Sequence, residues 1–194
     1  MRRQTFVFLL VFATLAVAAP EDSSRIRKAR RLETPAEPQA ALRKEVKRRS
    51  AGRSHLQVEM AATPQAEKLQ EMERRGLRVV EYLSDTGFVL AAEDGANLDG
   101  LDVLAAARPR SEDKISPLLK KTETSRESDT LVVEFFSDVE SAEARALLEE
   151  QGFEVVEHPD MLEHQMLVRP GLRPLSELAE WDEVAYVFPA SEEL

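Results

Sequence analysis

The chain repeats itself. Residues 55–115 and residues 130–194 present the same succession of patterns, and this repetition constrains the fold more than any other feature. Each copy opens on apolar–polar alternation, the mark of a half-buried strand: Leu56-Gln57-Val58-Glu59-Met60 and Leu131-Val132-Val133-Glu134-Phe135. A helix is predicted next. Thr63 and Pro64 supply a cap and a first-turn proline ahead of Ala66, Leu69 and Met72. In the second copy Ser137-Asp138-Val139-Glu140 is a capping-box pattern ahead of Ala144, Leu147 and Leu148. Both helices end at a glycine, Gly76 or Gly152, suited to a left-handed closing position. Further strands are predicted over 77–82 and 153–158, and over 88–92 and 165–168. A short helix over 98–101 or 174–180 then leads to a fourth strand over 102–107 or 183–188. Both fourth strands run into one phrase, Pro109-Arg110-Ser111-Glu112 or Pro189-Ala190-Ser191-Glu192.

The order β-α-β-β-α-β predicts an α+β fold of two tandem ferredoxin-like units, each a four-stranded antiparallel sheet with two helices on one face. The units are expected over 54–116 and 130–194, joined by a linker, 117–129, that is polar after Leu119. The first unit has the weaker second helix, because Gly100 inside it costs about 1 kcal/mol relative to alanine. A domain of ~60 residues buries only about 60% of its unfolded surface. With no cysteine available for a disulfide, two such units gain by packing on each other, and the helix-free sheet faces are the expected surfaces.

Residues 1–18 read MRRQTFVFLLVFATLAVA: two arginines, an apolar run, then small residues around Ala18. This three-part layout predicts a secretory signal cleaved after Ala18 and a secreted or periplasmic protein. The alternative is an uncleaved anchor, for which the run falls short of the ~20 apolar residues a span requires; no stable membrane anchor is expected after cleavage. Residues 1–53 hold 13 Lys/Arg against 5 Asp/Glu, whereas the remainder holds 13 against 31. Residues 19–53 are thus expected to form a basic, flexible linker with some helical tendency over 40–49. The acidic body behind it is repelled by nucleic acid and by anionic membrane surfaces, so neither is an expected partner.

Catalytic patterns are missing from the sequence. No glycine-rich phosphate loop and no HExxH motif occur. The absence of cysteine removes thiolate nucleophiles and thiolate metal sites. His158, Asp160 and His164 in EHPDMLEH are the one candidate metal set, read otherwise as a polar hairpin tip, with no counterpart ligands in the first copy beyond Asp85. Ser84, Ser137 and Ser191 lack a neighbouring histidine or a nucleophile elbow, and Ser137 is better explained as a helix cap. Trp181 reads as a packing residue. No enzyme, cofactor or metal is expected.

A signal segment, a charged linker and a β-α-β-β-α-β unit ending in an extended tail resemble the pro-region of secreted proteases, in particular the inhibitor-like propeptides of subtilisin-type enzymes. Tandem copies carrying the phrase at 109–117 also resemble the N-terminal regions of large secreted bacterial peptidases, subtilisin-like or zinc-dependent. The resemblance covers 56–115 and 131–194. It implies a non-catalytic inhibitor or folding chaperone whose sheet packs on a secreted peptidase and whose tail lies in the substrate cleft. It puts Pro189, Ala190, Ser191, Glu192, Glu193 and Leu194 in that tail, with Leu194 in the pocket for the residue before the cut. No peptidase domain follows in this sequence, so the implied action is either in trans or in cis within a longer precursor. Two other readings stay open: a ferredoxin-like small-ligand regulatory or assembly module of the cell envelope, and an envelope scaffold.

Overall fold

A computed structural model describes residues 37–46, 48–50, 52–121, 130–169 and 174–191. The predicted signal segment lies outside the described residues, and so do Glu192, Glu193 and Leu194. Among the described residues no helix is long and apolar enough to cross a membrane.

The fold is α+β, with two four-stranded antiparallel sheets and five α-helices among the described residues. The first sheet holds β1 (Arg53–Met60), β2 (Leu77–Tyr82), β3 (Gly87–Glu93) and β4 (Val103–Ala107), in the order β2-β3-β1-β4. The second holds β5 (Leu131–Phe135), β6 (Glu154–Val156), β7 (Gln165–Arg169) and β8 (Val184–Pro189), in the order β6-β7-β5-β8. The helices are α1 (Pro38–Arg43), α2 (Ala66–Arg74), α3 (Pro117–Lys121), α4 (Ser141–Glu150) and α5 (Leu175–Ala179). The two strand orders are the same. So is a defect: the register of β1 on β4 slips between Glu59 and Met60, and that of β5 on β8 slips between Glu134 and Phe135. These are equivalent positions of the repeated sequence, and such a slip bends the strand and adds to its twist.

Strand alternation sorts the core. Leu56, Val58 and Met60 of β1 and Phe88, Leu90 and Ala92 of β3 face Met72 of α2. Leu131, Val133 and Phe135 of β5 and Val168 of β7 face Leu147 and Leu148 of α4 and Leu178 of α5. Both α2 and α4 stop where Gly76 and Gly152 take φ of 72° and 80°, as read from the sequence.

Four expectations are corrected. First, neither predicted cap is a cap. The helix α2 starts after Gln65 and α4 after Glu140, both without a side-chain cap hydrogen bond. Ser137 instead donates its Oγ–H to Val80 O in the first sheet, at 2.9 Å.

Second, residues 98–101 form no helix. Gly100 and Asp102 take positive φ, 72° and 59°, and Asn97 Oδ1 accepts the Asp99 N–H in a local turn. Helical φ is negative, so this backbone breaks any helix. Leu98 and Leu101 are nevertheless buried. The place of the helix is taken by α1, from the arm expected to be flexible: Ala41 and Leu42 join the first core, and α1 packs on β4 as α5 packs on β8. Gln39 Oε1 accepts the Leu98 N–H, and Arg108 donates to Leu42 O.

Third, the helix-free faces do not meet each other. Val89, on the helix-free face of the first sheet, packs with Val80 and Leu83 into the core of the second half, beside Phe136 and Val139. The opposite face of the second sheet carries its own apolar cluster of Val132, Leu167, Tyr186 and Phe188.

Fourth, the shared phrase is used differently in its two copies. Pro189 still belongs to β8, opposite Leu131, whereas β4 ends at Ala107, ahead of Pro109. After the first copy the chain lays Ile115 parallel to Val187: Val187 N–H donates to Lys114 O and Ser116 N–H to Val187 O, each at 2.8 Å. The outer edge of β8 is thereby bridged at Val187, which satisfies the N–H and C=O of that residue. Leu119 of α3 is buried in the second core, so the linker begins as packed structure.

Candidate functional site

The pleat that turns Leu56 and Val58 toward the helices turns His55 the other way, toward the second half. His55 is fully buried. Its ring stacks on Phe136, centroids 4.3 Å apart. Nδ1 lies 2.8 Å from Asp182 Oδ2, and Nε2 lies 2.9 Å from Asp138 Oδ1. The backbone N–H of His55 donates to the same Asp182 oxygen, at 2.6 Å. Asp138 sits in the turn before α4 and Asp182 in the turn before β8, so one residue of the first half is clamped by two loops of the second.

The acceptors decide the state of the ring. Each ring nitrogen is within hydrogen-bond distance of a carboxylate oxygen, and a ring that donates to both is the imidazolium. Burial by itself drives the ring toward neutrality. The hydrogen bonds and charges of Asp138 and Asp182 outweigh it, and the pKa of His55 is raised above its ordinary value. For Asp138 burial opposes ionisation, but the hydrogen bond and charge of His55, followed by the charge of Arg53, hold its pKa below the usual carboxylate value.

Charged groups around these carboxylates tie in further elements. Arg53 Nε lies 2.8 Å from Asp138 Oδ2, an ion pair without hydrogen-bond alignment, and its other arm donates to Glu143 Oε2. Arg108 donates to His55 O at 2.9 Å, and burial lowers its pKa from the usual guanidinium value. Asp182 N–H donates to Arg48 O, and Ser50 N–H donates to Glu183 Oε1, so the arm closes the cluster from outside.

With both nitrogens engaged, His55 has no lone pair for a nucleophile or a metal, and the cluster is a junction of charges. Elsewhere His158 Nδ1 is 3.8 Å from Asp160 Oδ2, too far for a hydrogen bond. Among the described residues no group of three His, Asp or Glu side chains is placed to hold a metal ion. Trp181 accepts the Lys114 Nζ–H on its carbonyl, and its ring packs against the second core.

Of the sequence-derived tail, Pro189 pairs with Leu131, Ala190 N–H donates to Thr130 O at 3.3 Å, and Ser191 is exposed. Ala190 packs on the apolar cluster of Tyr186 and Phe188. Pro189 ends β8 and Ala190 follows it, whereas His55 is held by Asp138 and Asp182 in the turns before α4 and β8. Glu192, Glu193 and Leu194 lie outside the described residues.

Sequence reasoning passed over His55, Asp138 and Asp182. Asp138 was absorbed into a capping pattern. The one available signal was a histidine at position 55 on the edge of an otherwise apolar strand pattern. No family model, curated protein or solved structure matches this chain.

Proposed function

We propose that the chain is a secreted, non-catalytic protein-binding protein of two tandem ferredoxin-like units. In this reading it acts as the propeptide-like inhibitor or folding chaperone of a secreted peptidase, in cis within a longer precursor or in trans. The common strand order and the common register slip support the tandem reading.

The observation that carries the binding reading is the exit of β8. Its last residue Pro189 pairs with Leu131, and Ala190 beyond it bonds Thr130 O and packs against an apolar cluster on the face that carries neither α4 nor α5. An extended tail adds backbone hydrogen bonds to a peptidase's substrate edge while the neighbouring sheet face supplies apolar contact. The net charge of −10 suits a basic or metal-bearing partner surface.

The test is inhibition of the peptidases secreted by the source organism, using protein that begins at Glu37 so that α1 is kept. Intact protein is expected to slow a peptidase, and removal of Pro189, Ala190, Ser191, Glu192, Glu193 and Leu194 is expected to weaken that inhibition by at least about tenfold, the equivalent of ~1.4 kcal/mol. Equal inhibition with and without the tail contradicts the role of the tail. Absence of inhibition together with a retained metabolite moves the reading to the small-ligand regulatory module.

A further inference from the structure

We propose that His55 is a charge-dependent latch: its imidazolium holds the two halves together in acidic to neutral medium, and its deprotonation loosens the junction as the medium turns alkaline.

The geometry is specific. Both ring nitrogens reach carboxylates of the other half within 2.9 Å, at a site closed to solvent. The charged groups facing this site are Arg53 on β1, Arg78 of β2, and Arg108 after β4. From the second half come Asp138, Glu143, Asp182 and Glu183, and from the arm Arg49. Guanidinium and carboxylate side chains as classes change charge far from neutrality, whereas the ordinary range of a histidine lies close to it, which singles out His55 in this set. When the ring loses a proton, one nitrogen turns a lone pair toward a carboxylate less than 3 Å away. A donor–acceptor contact becomes an acceptor–acceptor one, without water to relieve it.

The direction follows from linkage. A raised His55 pKa makes its stabilisation complete below the ordinary value of ~6.5, and that stabilisation is lost as pH rises through the raised value. Asp138 behaves inversely: with a lowered pKa, its contribution is present above ~3.8 and is lost as pH falls through the lowered value. The junction is therefore tightest in mildly acidic medium, between these limits. Release exposes the turn holding Phe136 and Asp138 together with the face of the first sheet around Val89.

The test uses the whole protein. Long-range proton–nitrogen spectra follow the His55 ring between pH 5 and 9, and hydrogen exchange follows the His55 and Asp182 amides, both bonded across the junction. Both ring nitrogens should be protonated at pH 6, with a midpoint above ~6.5. Between ~6.5 and the midpoint, protection of the two amides should fall by about tenfold per pH unit, and it should level off above the midpoint. The variant Asp138→Asn should lower the His55 midpoint by about one pH unit, and His55→Gln should remove the pH dependence of protection. A wild-type midpoint at or below 6.5, or protection that varies with pH equally in His55→Gln, overturns the latch. Should His55→Gln fail to fold, Asp138→Asn decides, and an unmoved midpoint overturns it.

Discussion

The two halves of the molecule each have a four-stranded sheet of the same strand order and differ in how they cover it. In the second half the chain between β7 and β8 forms α5, and Leu178 from that helix is fully buried. In the first half the chain between β3 and β4 forms a loop that buries Leu98 and Leu101 without helical backbone. The helix that packs on β4 is α1, delivered from the arm ahead of β1. Strand pattern sets the sheet. The covering layer needs an apolar helix of the right size, and its source in the chain is open to change, since burial energy depends on area removed from water and is indifferent to connectivity. The consequence is that α1, within the described part of the basic arm, belongs to the first half's packing.

Three single substitutions sharpen this comparison, all read by urea unfolding. Leu178→Ala should have the largest effect, a loss of about 2–5 kcal/mol, because the side chain is fully enclosed between α5 and the second sheet. Leu42→Ala should cost less, about 1–2 kcal/mol, since Leu42 on α1 is only partly buried. A null effect there would break the equivalence of α1 and α5. Gly100→Ala should be smallest, and its sign is diagnostic. In a helix the change would stabilise by about 1 kcal/mol. At φ of 72° it should destabilise by about that much, although nothing lies within 4 Å of the added Cβ.

What the sequence disclosed follows from the range of each signal. Strands β1 and β5 were legible because the alternation in 56–60 and 131–135 is local, and β3 because 88–92 is a short continuous apolar run. Glycine-ended helices were legible for the same reason. The failure at 98–101 came from reading spacing without backbone: Leu98 and Leu101 sit at a helical interval, and Asn97 and Gly100 between and before them favour turns. The site was not legible at all. His55, Asp138 and Asp182 lie far apart in sequence, and no local pattern announces that they meet. Ser137 and Asp138 misled more actively. Serine and aspartate are preferred caps because they hydrogen-bond nearby backbone, and the same chemistry lets them reach another segment instead, as Ser137 reaches Val80 O and Asp138 reaches His55.

The comparison also gives the junction its meaning. The first half alone offers a sheet face with a histidine on it, and the second half offers two carboxylates in loops. Neither side is satisfied without the other, because a buried charge left unpaired costs several kcal/mol. The arm then seals the cluster through Arg48 O and Ser50 N–H, so α1 and the latch are linked by a single short segment.

The most direct test is hydrogen exchange on two forms of the protein, one beginning at Glu37 and one at Gly52. Removing residues 37–51 strips α1 from the first core. The account predicts that amides of β1 and β4 lose most of their protection, while those of β5 and β7 keep theirs, since local opening follows the loss of local packing. Unchanged protection of β4 in the shorter form would contradict the claim that the arm supplies the missing helix.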